Sequence, residues 1–264
     1  MHKKRILTAL LAAAAIACLW WGGRLLTAYA ALQPDPLKKL RMLNVACALG
    51  SGEARILRGA ELMQLNRYAD AKKDFDRAIK SSPSYPVTYI YRAELLNAQG
   101  ETRNALDDYN QAMVLMGPYI KSLAASSRTA KAAQERGMSV ADLSRGLYSR
   151  LLRDRCALYA SSKQAANALL DAGLALEIDP ADPRIYAARA AVYVLIEQPQ
   201  RAQDDIVTAL KLGARNDDME TEFSAYPREV HVRLSGILAQ AGNKAVSGQK
   251  KVRPAIAVPP SKRL

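Results

Sequence analysis

The chain has 264 residues, half of them apolar, yet it contains only two Phe and two Trp. The apolar half is mostly Ala and Leu, which are strong helix formers, so the composition favours packed helices over a β-sandwich. The net charge of +13 is concentrated at the ends, because residues 1–52 and residues 243–264 carry +6 each. A nucleic-acid-binding fold is expected to carry its basic patch on the folded surface, so we expect no nucleic-acid partner.

The chain has few side chains suited to metal binding or catalysis. Cysteine occurs at Cys18, Cys47 and Cys156 without a CxxC pair, and the histidines are His2 and His231. Zinc needs three or four converging ligands, so no metal site is predicted. No G-x-S-x-G, P-loop or H-E-x-x-H motif occurs, so we expect no catalytic residue, no cofactor and no small-molecule substrate. A disulfide between Cys47 and Cys156 is possible if the domain is exported.

Residues 1–32 are predicted to be a membrane anchor or signal segment. Residues 3–5 are basic, and an apolar run follows from Ile6 to Trp21. As a helix this run spans roughly 24 Å, and one further turn approaches the ~30 Å thickness of a hydrocarbon core. Trp20 and Trp21 suit the membrane interface at the far side.

Three fates of this segment stay open. It is an uncleaved signal anchor, a lipoprotein signal acylated at Cys18, since residues 15–18 resemble a lipobox, or a signal cleaved after the A-x-A site at residues 28–30. Each fate places the remaining chain outside the cytoplasm. We therefore expect a membrane-anchored protein of a bacterial envelope, with the bulk of the chain periplasmic. Residues 33–52 are expected to form a juxtamembrane helix or linker.

Two pairs of segments repeat with a period of 34 residues. In the first pair, Arg58, Gly59, Leu62, Ala71, Phe75 and Ala78 recur as Arg92, Ala93, Leu96, Ala105, Tyr109 and Ala112. In the second pair, Cys156, Tyr159, Ala168, Ala172 and Ala175 recur as Ala190, Tyr193, Ala202, Ile206 and Ala209. Small residues at fixed spacing let two helices approach closely, and a bulky residue fills the groove beside them. This pattern resembles the tetratricopeptide repeat (TPR) family.

The resemblance implies an all-α fold, a TPR-like solenoid of helical hairpins, with the N-terminal transmembrane or signal helix in addition. Four units fit this period. Two lie in the TPR-like segment 53–119, whose first unit begins one residue earlier at position 52, and two lie in residues 149–216. The leading Trp of the family is absent. Asn66 and Gly100 lie where the first helix of a unit must turn into the second.

The segments outside the repeat frame carry weaker signals. Residues 120–148 are expected to form a degenerate helical insert, with a flexible linker as the alternative, and Ser139 and Asp142 resemble a capping box with Asp in place of Glu. Residues 217–242 are predicted to be a capping helix, as solenoids require. Residues 243–264 are basic, contain three prolines and are predicted to be a disordered tail.

In the resembled family, partners usually lie in a concave groove lined by the first helix of each hairpin. The matching positions here are Ile56, Met63, Ile90, Glu94 and Asn97 in the first pair and Arg150, Arg153, Arg184 and Val194 in the second. A small, apolar groove with arginines in its second half would suit apolar or acidic peptide segments.

The leading hypothesis is a non-catalytic scaffold or adaptor, tethered to the membrane, that binds partner proteins in this groove. A structural subunit of a larger membrane-associated machine and an anchored accessory of an enzyme stay open as alternatives. Adjacent acids such as Asp107-Asp108 and Asp204-Asp205 point in different directions on a helix and are expected to be solvated rather than catalytic.

Overall fold

A computed structural model describes residues 21–135, 137 and 139–249. Within this part of the chain the regular structure is helical throughout, with turns between the helices and no strand. The predicted all-α class is therefore confirmed. The chain divides into two compact units, one ending at Leu143 and the other beginning at Ser144.

The first unit is built from consecutive helices that pack against their chain neighbours, α2 on α3, α3 on α4, α4 on α5 and α5 on α6. Their bounds are α1 over described residues 21–31, α2 Pro36–Ala48, α3 Gly52–Gln64, α4 Tyr68–Ser81, α5 Pro86–Ala98, α6 Thr102–Ala125 and α7 Ser127–Glu135. The hairpins α3–α4 and α5–α6 occupy the first two predicted repeats.

The second unit begins within α8, and its helices follow the same scheme until the last two. Their bounds are α8 Val140–Ser161, α9 Ala165–Ile178, α10 Pro183–Leu195, α11 Pro199–Lys211, α12 Asn216–Phe223 and α13 Arg228–Gln249. Helix α10 packs against both α9 and α11, and α13 packs against α11 and α10. Sequence predicts one helix over residues 217–242, whereas the structure has two, with Pro227 between them.

A further hairpin, α1–α2, precedes the predicted repeats. A Cβ added to Gly23 would lie only 3.1 Å from Leu49 Cβ, so the absent side chain lets the two helices approach closely. Ala30 is buried in one apolar cluster with Leu43, and Thr27 Oγ1 lies 3.1 Å from Ser51 Oγ. The last part of the predicted segment 1–32 thus packs against protein along one face.

Most residues named in the membrane prediction lie outside the part of the chain that the structure describes. Ile6, Cys18 and Trp20 lie outside the described residues, and Trp21 is an exposed residue of α1. Among the helices of residues 21–249 that the structure describes, none has both the length and the apolar character that a bilayer crossing requires.

The turn inside each predicted repeat contains a residue in the left-handed region. Its φ is 58° at Asn66 and 79° at Gly100, 60° at Lys163 and 59° at Glu197. The first two positions were expected as turns. The latter two show that the turn geometry is retained where the sequence offers neither Gly nor Asn, at a local cost of roughly 1–2 kcal/mol.

An arginine of the first helix and an aspartate of the second are joined in every predicted repeat by two hydrogen bonds of 2.5–2.8 Å. The pairs are Arg58–Asp74, Arg92–Asp108, Arg155–Asp171 and Arg189–Asp205. All four aspartates are buried. The expectation that adjacent acids are solvated is therefore wrong for Asp108 and Asp205, and right for Asp107 and Asp204, which are exposed. Neighbouring residues point to different faces of a helix, so one acid of each doublet faces its arginine.

The segment between the repeats is helical over much of its length. Helix α6 continues through Pro118 to Ala125, and α7 follows directly. The predicted capping box is confirmed, because Ser139 N donates to Asp142 Oδ2 at 3.1 Å and Asp142 N donates to Ser139 Oγ at 3.0 Å. Helix α13 extends to Gln249, into the predicted tail, and residues 250–264 lie outside the described residues.

Both described cysteines, Cys47 and Cys156, are buried free thiols, so the disulfide that the sequence left open is not formed. Burial raises the pKa of Cys156 to about 12 and also raises that of Cys47. In the described part of the chain, no group of three His, Cys, Asp or Glu residues is placed to hold a metal ion.

Candidate partner-binding surface

The groove residues predicted for the first unit differ in accessibility. Ile56 and Ile90 are buried, Met63 and Glu94 are half-buried, and Asn97 is exposed. The two isoleucines therefore act partly as packing between hairpins, whereas the others are within reach of a partner. Whether these residues bind one stays a prediction.

An open cleft of about 740 Å³ lies in the first unit, beside Ile56. Its lining comes from α1, from the start of α3, from the end of α4 and the α4–α5 connection, from the last part of α6 and from the start of α7. The lining residues are Arg24, Gly52, Glu53, Ile56, Ala78, Ser81, Ser82, Ser84, Tyr85, Pro118, Tyr119, Ser122 and Thr129. This volume falls in the range of pockets that bind ligands, and it would accept a short stretch of polypeptide.

Two tyrosines form the centre of this cleft. The rings of Tyr85 and Tyr119 meet edge to face, with centroids 5.2 Å apart and planes at 85°. Burial raises the pKa of Tyr85 far above its usual range, and it also raises that of Tyr119. Both hydroxyls are therefore neutral at physiological pH. The pair offers apolar ring surface together with groups that donate and accept hydrogen bonds.

Sequence reasoning missed both tyrosines, although a signal was present. Tyr119 follows Tyr85 by one period of 34 residues. The two are placed differently by local structure, because Tyr85 is the N-cap of α5, whereas Tyr119 lies inside α6 just after Pro118. The lengthened helix α6 therefore brings the second tyrosine to the first.

The rim of the cleft is polar. Arg24 and Glu53 supply opposite charges, and Ser82, Ser84 and Ser122 supply exposed hydroxyl groups. Arg24 belongs to the segment 1–32 that the sequence predicts to be a membrane anchor or signal. The structure places it at this rim. Two aromatic rings among several hydroxyl and charged groups suit an extended peptide, whose backbone needs hydrogen-bond partners.

In the second unit, the arginines predicted to line a groove are paired with carboxylates of the same unit. Arg150 Nε lies 3.3 Å from Asp154 Oδ2, and Arg184 Nη2 donates to Asp182 Oδ2 at 2.9 Å. Arg153 is buried, donates to Asp154 Oδ1 at 3.1 Å, and lies 3.7 Å from a Glu222 oxygen. An acidic peptide would have to compete with these neighbours.

Helix α12 covers the face on which a groove was predicted in this unit. It packs against α10, and its Met219 and Phe223 are fully buried. Tyr226, just beyond it, is also buried, and its hydroxyl lies 3.5 Å from the carbonyl oxygen of Ala188 in α10. Val194, predicted to contact a partner, has no exposed surface. The chain itself therefore covers much of this face, and Arg184 lines an open cleft of about 420 Å³ beside α12.

Two carboxylates beside Arg153 have pKa values shifted in opposite directions. Burial raises the pKa of Glu222, and Arg153 offsets this only in part. Burial also acts to raise the pKa of Asp182, but hydrogen bonds from the side chain and backbone N–H of Arg184 outweigh it, and the pKa is lowered. Asp182 is the N-cap of α10. Ionised Asp182 therefore stabilises this region, whereas ionised Glu222 is held there at a cost.

The one histidine of the described residues takes part in a structural contact. His231 Nε2 lies 2.9 Å from Glu220 Oε2, and Ser235 Oγ donates to the same oxygen at 2.7 Å. Because serine and histidine both contact the glutamate, and the hydroxyl donates to that carboxylate rather than to the imidazole, this arrangement does not activate a nucleophile. It joins α12 to α13.

Comparison with solved structures agrees with this architecture. The chain is similar to a chain of the APC/C hetero-tetramer Cut9–Hcn1 (TM-score 0.60, 14% identity, 83% of this chain and 36% of that one). It is similar to PilF of Pseudomonas aeruginosa (0.58, 12%, 89% and 94%) and to Acl4, an assembly chaperone of RpL4 (0.57, 13%, 87% and 98%). No family model and no curated protein matches the sequence.

The fold is TPR-like. Cut9 and PilF are TPR-repeat proteins, and the described helices pair as TPR hairpins do. At these identities the likeness concerns the fold, and it agrees with the resemblance that the 34-residue period carries. The chain spans about a third of the length of the Cut9–Hcn1 chain.

Proposed function

We propose that the protein is a non-catalytic scaffold that binds a segment of a partner protein in the Tyr85–Tyr119 cleft, and that its N-terminal segment tethers it to a membrane. The observation that carries the first half is the open cleft beside Ile56, which is the one predicted groove residue among those that line the cleft. Proteins of this fold are generally scaffolds, and two of the neighbours are named for assemblies, Cut9 with Hcn1 and Acl4 with RpL4.

The lining of the cleft defines the chemistry of the partner. The rings of Tyr85 and Tyr119 favour a large apolar or aromatic side chain, and the surrounding serine hydroxyls suit the polar backbone groups of an extended segment. Arg24 and Glu53 present one charge of each sign at the rim, which favours no net charge in the bound segment. An apolar anchor is thus a better fit than the acidic segment that the sequence also suggested.

The membrane half of the proposal rests on the sequence. The apolar run from Ile6, behind a basic tip, has the composition of a segment that enters a bilayer. An uncleaved anchor and acylation at Cys18 both keep the chain at the membrane, with the hairpins in the periplasm of a bacterial envelope. Cleavage after Ala30 would cut α1 and separate Gly23 and Thr27 from the partners that bury them. Retention of the segment is therefore the better-supported version.

The cleft can be tested by filling it. Ser122 is an exposed cleft residue of α6, and Gln111 is an equally exposed residue of the same helix outside the cleft. Partners are first identified by crosslinking in native membranes. Ser122→Trp is then expected to lower capture of the cleft partner by about tenfold or more, which corresponds to about 1.4 kcal/mol, because the indole occupies the partner's space. Gln111→Trp is the matched control.

Circular dichroism should show the same helical content in both variants, because each substitution is on an exposed surface. The proposal is contradicted if both variants capture every partner as well as the parent chain does. Equal loss in both variants would also contradict it, since the effect would then not belong to the cleft.

A further inference from the structure

Helix α1 and the turn that follows it carry exposed apolar side chains opposite the face that packs on the protein. Gly23, Thr27 and Ala30 are buried against the rest of the first unit. On the other side Trp21, Leu25, Tyr29 and Leu32 follow at intervals of four, four and three residues, which places them on one face. We call these four residues the outward stripe. Their exposed fractions are 57%, 66%, 55% and 79%.

This exposure is unusual for a helix that already buries its inner face. A helix in water normally presents polar side chains outward, and contiguous apolar surface on a soluble domain marks a site of interaction. Helix α4 follows this rule, since its exposed residues include Lys73, Arg77 and Lys80. The outward stripe therefore requires an apolar environment.

The composition of the stripe and of its flanks points to lipid. Trp and Tyr are enriched at membrane interfaces, where the ring is buried and its polar edge meets the headgroups. Lys38 and Arg41, which follow the stripe in the sequence, are exposed on α2. Basic residues next to an apolar helix face are attracted to anionic headgroups, at about 1 kcal/mol each near the surface. The stripe also follows directly on the apolar run from Ile6.

We propose that α1 lies flat in the membrane interface, with the outward stripe in contact with lipid and the hairpins above it. This rests on the tethering half of the proposed function and adds an orientation to it. A tether alone would let the hairpins swing freely on the N-terminal segment. A helix lying in the interface fixes one side of the first unit against the membrane.

The geometry separates this arrangement from a simple tether. Tyr29 lies eight residues after Trp21, which is roughly 12 Å along the helix axis. If α1 rose out of the membrane as a continuation of an anchor, position 29 would be in water. If α1 lies in the interface, positions 21 and 29 are at the same shallow depth.

The experiment uses the full chain in vesicles of phosphatidylcholine with a minority of phosphatidylglycerol, with brominated lipids as depth-dependent quenchers. The chain has two tryptophans, Trp20 and Trp21. Three chains with a single tryptophan are compared. The first retains Trp21 and carries Trp20→Phe. The second carries Trp20→Phe, Trp21→Phe and Tyr29→Trp. The third, the control, carries Trp20→Phe, Trp21→Phe and Val114→Trp, at a residue of α6 that is 71% exposed.

The expected result is that tryptophan at position 29 loses most of its fluorescence to shallow brominated lipids and emits at shorter wavelength, at the depth found for Trp21. The control at position 114 should keep its fluorescence. Adding Leu25→Glu to the second chain should reverse the quenching at position 29 while the chain still sediments with the vesicles.

Other results overturn the inference in distinguishable ways. If the chain sediments with vesicles but position 29 is unquenched, tethering stands and the interfacial orientation fails. If the chain does not sediment with vesicles at all, tethering fails as well. A benzophenone at position 25 that crosslinks to a second copy of the chain or to a protein partner, and not to lipid, would assign the stripe to that occupant instead.

Discussion

The two units present the same repeat face in different states. In the first, the chain beside Ile56 at the start of α3 opens into a cleft that Tyr85 and Tyr119 line. In the second, α10 is packed against α12, whose Met219 and Phe223 are buried. Within each hairpin the two units are alike, down to the bidentate arginine–aspartate pair. The repeat therefore specifies how hairpins are built, and residues outside its frame decide whether a face is free to bind.

The difference has a local physical cause in each case. In the first unit α6 does not stop at the end of its repeat but continues past Pro118, which adds Tyr119 and Ser122 to the cleft wall. In the second unit the chain leaves α11 and returns over α10, where Phe223 and Tyr226 bury themselves among small residues such as Ala187 and Ala191. Alanine on this face leaves room for a large side chain, and the chain supplies it.

The largest expected effect tests whether α12 is an integral part of the second unit. Phe223→Ala should lower the free energy of unfolding by about 3–5 kcal/mol, because it leaves a cavity in a closed cluster. Thr221→Ala, an exposed position of the same helix, should change it by no more than about 0.5 kcal/mol. Urea unfolding gives both values, and hydrogen exchange should show loss of protection in α10 for Phe223→Ala alone. Equal effects of the two variants would mean that α12 does not belong to the core, and the comparison between the units would fail.

A second prediction concerns the feature that the units share. Asp108→Asn in the first unit and Asp205→Asn in the second should each cost about 2–4 kcal/mol, because a partly buried arginine loses its charged partner. The neighbours give matched controls, since Asp107 and Asp204 are exposed. Asp107→Asn and Asp204→Asn should each change stability by less than about 0.5 kcal/mol. Urea titration of the four single variants measures these changes in stability. If the two variants of either aspartate doublet lost the same stability, the structural role of the buried aspartate would be contradicted.

The smallest predicted effect sharpens the comparison at the contact between α12 and Arg153. Glu222 has a raised pKa, so its ionised form is disfavoured in the folded state, and Glu222→Gln should raise stability at neutral pH by up to about 1 kcal/mol. This advantage should shrink as the pH falls through the folded pKa of Glu222 towards the usual Glu range, near pH 4. Thermal unfolding over this pH range measures the difference.

Asp182→Asn is the contrasting variant. The lowered pKa of Asp182 means that its ionised form stabilises the fold. The substitution should therefore lower stability at pH values above the usual Asp range, and this loss of stability should disappear as the pH falls through the lower folded pKa. If Glu222→Gln destabilised the protein at neutral pH as Asp182→Asn does, the two carboxylates would have the same role, contrary to the geometry around Arg153.

Much of the fold could be predicted from the sequence, because side-chain size recurs every 34 residues and each recurrence marks the same packing position. Gly59 illustrates this, since a Cβ there would lie within 3.0 Å of the Phe75 ring. The buried aspartates were also within reach, because Asp74 and Asp108 are one period apart. For Asp108 and Asp205 the sequence instead favours solvation, because each follows another aspartate.

The candidate site was less predictable for a physical reason. A repeat pattern reports which residues pack within and between hairpins, but it says nothing about segments that fold back on them. The covering of α10 by α12 depends on the segment after α11, which lies outside the repeat, and the open cleft depends on how far α6 continues. Arg153 shows the consequence, because its groove position follows from the frame whereas its burial follows from Glu222 and Tyr226.

The most direct test of the account compares the two faces in one experiment. A photo-crosslinking benzophenone is placed at Ser84, an exposed residue of the cleft, or at Thr221, an exposed residue of α12. We predict that irradiation in native membranes yields adducts with a partner protein from position 84 and not from position 221. Adducts from position 221 with none from position 84 would contradict the central claim, which is that partners bind the open face of the first unit and that the second unit has filled its own.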